Sequence, residues 1–170
     1  GLTQLVAGLP KPDLHAGTQV MAPVLIVPRI FEPDFCKRLI ALYDAQGGTV
    51  SGFMREIDGK TVAVHDESHK RRKDALIEDE ELKTQCRARI VRRLVPEIKK
   101  AFQFEATRME RYLVACYEDT NRGMFRAHRD NTTGGTAHRK FAVSLNLNAE
   151  EYEGGDLRFP EFGSRTYRPP

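Results

Sequence analysis

The spacing of apolar and polar positions divides the chain into a first part of helices and a hairpin and a β-rich second part. Val24 to Val27 is a short apolar run bounded by Pro23 and Pro28, the pattern of a brief buried strand. A helix is expected next. Pro33 suits a first helical position, Asp34 complements the helix dipole, and Gly47-Gly48 ends the element. Phe35, Leu39 and Leu42, with Cys36, Ile40 and Tyr43, form its broad apolar face. Phe53 to Val64 reads as a hairpin around Asp58-Gly59, a pair that tolerates positive φ at both central turn positions. From Glu78 or Asp79 to about Ala101, Leu82, Cys86, Ile90, Leu94 and Ile98 recur every four residues, which predicts a long helix. Pro96 should kink it or split it in two.

Beyond residue 108 the period falls to two. Met109 to Tyr117 places Leu113, Ala115 and Tyr117 on one face of a strand and Tyr112, Val114 and Cys116 on the other. Phe141, Val143, Leu145 and Leu147 alternate with Ala142, Ser144, Asn146 and Asn148, a strand with one buried face. Asn131 to Ala137 is a loop by composition, and Leu157 and Phe159 mark a further strand ended by Pro160. Gly1 to Ala22, which includes His15, is weakly patterned and reads as a linker or N-terminal tail. The order, helices and a hairpin followed by sequential strands, suggests an α+β jelly-roll barrel backed by N-terminal helices.

Composition narrows the function classes. A chain of 170 residues, 40% hydrophobic and 30% charged, suits one soluble globular domain with a sizeable core. The formal charge of +3 is too small to imply nucleic acid by itself. A basic helix face, with Lys83, Arg87, Arg89, Arg92, Arg93, Lys99 and Lys100 downstream of Lys70-Arg71-Arg72-Lys73, keeps a nucleic-acid-binding protein as an alternative. Glu78 to Glu81 offset part of it, and a solvated helix face is the plainer reading. Cys36, Cys86 and Cys116 have no CxxC spacing, which fits reduced thiols in the cytoplasm better than a disulfide framework or zinc cluster. No run is long enough to span a bilayer, and no basic region precedes a hydrophobic one as in a secretory signal. His65 and His69 would share a helix face, but HDESH lacks the Glu that a zinc HExxH places directly after its first His.

The chemistry concentrates in Tyr117 to Asp130. A strand entering at Phe125 puts Arg126, His128 and Asp130 on one face, so an imidazole and a carboxylate converge as in two thirds of a 2-His-1-carboxylate iron site. The succession RYLVACY, FRAHRD, FAVSLNLN and EEYEGGDLRFPEFG resembles the prolyl 4-hydroxylase-like branch of the 2-oxoglutarate and Fe(II)-dependent dioxygenases, from about Met109 to Phe162. That resemblance implies a double-stranded β-helix, cupin-like, over residues 23–170. It implies Fe(II) held by His128 and Asp130, with Tyr117 bonding 2-oxoglutarate and Asn146 as a second cosubstrate contact. Arg139 is a candidate substrate contact, and equally a surface cation. The implied reaction uses 2-oxoglutarate and O2 to hydroxylate an unactivated C–H bond of an unidentified protein or small molecule, with ascorbate as reductant; oligomers are left open.

The pattern also departs from the family. The distal His and the basic residue that clamps the far carboxylate of 2-oxoglutarate follow on later strands, and His138 lies too close to the HxD to replace the former. An incomplete catalytic domain lacking its C-terminal strands is therefore expected. The other alternative is a dioxygenase-like module without metal that binds a peptide or small molecule in its cleft.

Overall fold

A computed structural model describes residues 2–9, 14–15 and 18–169. The fold is mixed, with helices and small antiparallel sheets in the order α1 (Leu2–Ala7), β1 (Leu14–His15), β2 (Thr18–Gln19), α2 (Pro33–Gln46), β3 (Thr49–Val50), β4 (Phe53–Ile57), β5 (Lys60–Val64), β6 (Lys70–Arg71), β7 (Lys73–Leu76), α3 (Glu80–Arg93), α4 (Val95–Phe102), β8 (Leu113–Cys116), β9 (Met124–Phe125), β10 (Leu157–Arg158) and β11 (Thr166–Tyr167). The largest sheet has the order β3-β7-β8, and β4-β5, β6-β9, β1-β2 and β10-β11 form pairs. Among the described residues no sheet closes into a barrel.

The helices begin and end where local chemistry allows. Pro33 occupies the first turn of α2, and Gly47 ends it at φ 77° with its N–H on the Tyr43 carbonyl. The Asp79 carboxylate caps α3 by accepting the Leu82 N–H at 2.6 Å. The expected long helix divides at Leu94, two residues before Pro96. Proline has no N–H to donate, and its ring crowds the carbonyl one turn back, so α4 restarts from Leu94. In the hairpin, Asp58 and Gly59 take φ of 49° and 73° and five residue pairs align from Phe53↔Val64 to Ile57↔Lys60.

The core lies between the helices and the central sheet. Phe35 and Leu39 of α2 and Leu82 and Cys86 of α3 meet Ile77 and Val114 in one buried cluster. Ile30, Leu94 and Ile98 form a second, against which Leu25, Val27 and Leu145 pack. Glu32, just before α2, accepts from Arg89 and Arg93 of α3, and these guanidiniums hold its carboxyl down to about 2.

Four of the expected strands differ. Val24–Val27 packs against Leu94 and Ile98 and has no sheet partner among the described residues. The β9 strand stops at Phe125 instead of continuing to Asp130, and the Leu157 strand stops at Arg158. Phe141–Asn148 has the alternation of a strand, but among the described residues its backbone finds no ladder, so no strand forms. A strand needs a neighbour for its N–H and C=O groups, and alternation alone does not supply one.

Replacing the α3 cap, Asp79→Ala, is expected to cost about 1 kcal/mol of stability. Urea denaturation followed by circular dichroism measures it, and an unchanged midpoint would show that the cap does not hold α3.

Candidate metal centre

Two elements bring the site together. β6 pairs with β9 through Lys70↔Phe125 and Arg71↔Met124, and the Arg126 N–H then donates to the His69 carbonyl at 2.9 Å. After that bond the chain leaves β geometry. His128 turns back, with Nδ1 2.7 Å from the Arg126 carbonyl and its ring stacked on Phe125 at 3.6 Å between centroids. Its other nitrogen, Nε2, lies 3.1 Å from Asp130 Oδ1. The expected convergence of His128 and Asp130 is therefore present, produced by a turn rather than by a continuous strand.

A carbonyl oxygen only accepts, which assigns the Nδ1 proton and aims Nε2 at the carboxylate. Both neighbours of the ring are acceptors, so the imidazole favours a proton on each nitrogen. The Asp130 carboxylate accordingly raises the His128 pKa, against the effect of burial, and His128 in turn lowers that of Asp130. A divalent ion is the alternative to the Nε2 proton. Two ligands at right angles, each about 2.1 Å from one ion, are separated by about 3.0 Å. The observed 3.1 Å fits that spacing, and the carbonyl-held Nδ1 is the support that metal-bound histidines ordinarily have. Among the described residues no group of three His, Cys, Asp or Glu side chains is placed to hold an ion, so these residues fit two ligand positions.

His69 packs nearby, its ring 6.4 Å from that of His128 and 4.5 Å from that of Phe53. Burial and the neighbouring His128 lower its pKa. No helix joins it to His65. Asp66 instead organises a turn, accepting from the Ser68 N–H and hydroxyl.

Beside the pair stands a polar wall that the sequence analysis did not foresee. Antiparallel register places Asp74 opposite Ala115, and hence Arg72 opposite Tyr117, on the sheet face away from the core. Arg72 holds Asp74 through Nε and Nη2 at 2.6 and 2.7 Å and lies 5.8 Å from the Tyr117 ring. Burial works against the Arg72 charge, but Asp74 and the Tyr117 hydroxyl raise its pKa. For Asp74 burial is likewise outweighed, by Arg72 and the Ser51 hydroxyl, and its pKa falls. Lys70 is only 4% exposed. Its ammonium donates to Ser51 Oγ and the Gly52 carbonyl, both at 2.7 Å, and sits 4.7 Å above the Phe125 ring. Burial pushes its pKa down to about 8. The field of this wall reaches the pair: Lys70 disfavours the His128 charge, and Arg72 helps keep Asp130 ionised. The sequence signal was there, since Lys70, Arg72 and Asp74 are spaced by two and share a strand face, but inside KRRK it reads as a solvated run.

The remaining expected residues divide. Tyr117 follows β8 and is half exposed beside Arg72. Arg139 grips Glu110 with two bonds of 2.6 Å and reaches the Asp130 carbonyl at 3.3 Å, so it braces the backbone of the pair. Asn146 turns to the Pro169 carbonyl and lines a separate cleft of about 60 Å³ with Val27, Ile30 and Phe31. His138 lies 3.9 Å from Glu110. No protein-family model, curated protein or solved structure matches the chain.

In the protein without added metal, His128 is expected to titrate above the ordinary imidazole value of about 6.5. Asp130→Asn should lower that midpoint, since the carboxylate is the main cause of the rise. Imidazole chemical shifts followed by NMR against pH check both, and a midpoint at or below the ordinary value would show that the pair does not form.

Proposed function

We propose that this chain carries the HxD part of an Fe(II)- and 2-oxoglutarate-dependent oxygenase, built on the double-stranded β-helix plan and hydroxylating an unactivated C–H bond. The observation that carries the reading is the 3.1 Å His128–Asp130 pair beside the cationic wall of Lys70 and Arg72. The FRAHRD, FAVSLNLN and EGGDLRF succession supports it further. No membrane-crossing helix occurs among the described residues, and Cys36, Cys86 and Cys116 are free thiols, in keeping with a reducing cytoplasm.

His128 and Asp130 would hold the metal, with Arg126 and Arg139 fixing ring and backbone through the bonds described. When bound, Fe(II) would let O2 act as the oxidant, one oxygen atom entering a substrate C–H bond and the other converting 2-oxoglutarate to succinate and CO2. The protein's part is orientation and charge. Lys70 and Arg72 carry two positive charges against the two negative charges of Asp74 and Asp130, so a divalent ion leaves an excess of two, the charge of a dicarboxylate. The Tyr117 hydroxyl, beside Arg72, supplies a donor for such an anion, and the Phe125 ring and the Lys70 stem keep that side of the pair apolar. Asn146, bonded to Pro169, takes no part in this arrangement.

The test is Fe(II)-dependent release of succinate from 2-oxoglutarate in air with ascorbate, measured on a chain that also carries the distal His and the 2-oxoglutarate-clamping basic residue. His128→Ala and Asp130→Ala should abolish it. Tyr117→Phe should raise the KM for 2-oxoglutarate about ten-fold or more, since a hydrogen bond to a charged partner contributes about 1.5–3 kcal/mol. Failure to bind Fe(II), with 2-oxoglutarate or a peptide still bound, would replace this reading with the metal-free binding module.

A further inference from the structure

The basic stretch of α3 and α4 is the sequence feature that the metal centre leaves unused. Most of its charges are neutralised locally. Lys83 pairs with Glu80, Arg89 and Arg93 with Glu32, Lys99 with Glu105, and Lys100 with Glu97. Arg87, and Arg108 in the chain returning to β8, have no ion-pair partner among the described residues, and both line the same cleft of about 310 Å³. Val91 and Val95, on either side of the α3–α4 junction, and Met109 give the cleft an apolar wall, and Val91 is left 51% exposed. Arg87 Nε donates to the Tyr112 hydroxyl at 3.4 Å, and its terminal nitrogens have no partner among the described residues. Among the described residues no carboxylate lines the cleft.

We propose that this cleft binds a small monocarboxylate with an apolar body, of the class of a medium-chain fatty acid. The Arg87 and Arg108 guanidiniums, both lining the cleft, offer donors for a carboxylate, whose planar geometry a guanidinium matches. The hydrocarbon part covers Val91, Val95 and Met109, and the volume is that of a site for a small organic molecule. A nucleic acid fits less well. A phosphate backbone needs an extended row of free cations, and here Lys83, Arg89, Arg93, Lys99 and Lys100 are ion-paired, which leaves Arg92 as the one basic side chain of α3 and α4 outside the cleft without such a partner among the described residues. The site is independent of the metal centre.

The test uses octanoate as the probe, titrated into the full chain and followed by NMR and calorimetry. Binding should shift the resonances of Val91, Met109 and Tyr112, and octanol should bind at least ten-fold more weakly. Both arginine side chains are outside the core, so the double variant Arg87→Gln/Arg108→Gln should fold normally by circular dichroism and lose at least ten-fold in octanoate affinity. Equal binding of octanol, or undiminished octanoate binding by the folded double variant, would overturn the proposal. Displacement of octanoate by a short oligodeoxynucleotide at equal or lower concentration would also overturn it, in favour of a polyanion surface.

Discussion

The pairing of β7 with β8 sets both the core and the candidate site. Side chains alternate along a strand, so one register commits Ala75, Ile77 and Val114 to the helices and Arg72, Asp74 and Tyr117 to the opposite face. A slip of one residue would exchange the two sets, placing a guanidinium under α2 and an isoleucine in the polar wall. The burial of Phe35, Leu39, Leu82 and Cys86 against the inner face resists that slip, so helix packing holds the site's charges in place.

Those charges are expensive to bury and are correspondingly well bonded. Lys70, Ser51, Asp74 and Arg72 form a continuous chain of donors and acceptors, and the Lys70 stem lies against Phe125. A desolvated ammonium is tolerated where its protons have partners, and the depressed pKa of Lys70 records the remaining penalty. The same network gives the surroundings of His128 and Asp130 a fixed electrostatic character, with Lys70 acting against a second proton on His128 and Arg72 favouring ionised Asp130.

The pair itself is held by short-range bonds. The Arg126 N–H donates to the His69 carbonyl and the Arg126 carbonyl accepts from His128, so one residue connects the chain entering β6 to the imidazole. Arg139, anchored on Glu110, fixes the Asp130 end. Ring and carboxylate thus face each other at ligand spacing without a regular strand beneath them.

What could be read from the sequence alone was what neighbouring residues decide. Pro33 and Gly47 bound α2, Asp79 starts α3, Pro96 divides the helical stretch and Asp58-Gly59 turns the hairpin, because each acts through its own φ or a bond a few residues away. The convergence of His128 and Asp130 was equally legible, since two residues of separation keep them close in a strand or in the turn that replaces it. Tertiary structure decided the rest. Lys70 and Arg72 became site residues only because Ser51, Gly52, Phe125 and Tyr117, from 18 to 55 positions away for Lys70 and 45 for Arg72, close around them. Asn146 was drawn to Pro169, and Phe141–Asn148 found no ladder among the described residues despite its alternation. A side chain's environment and a strand's partner are long-range quantities, whereas a cap or a turn is satisfied by the chain next to it.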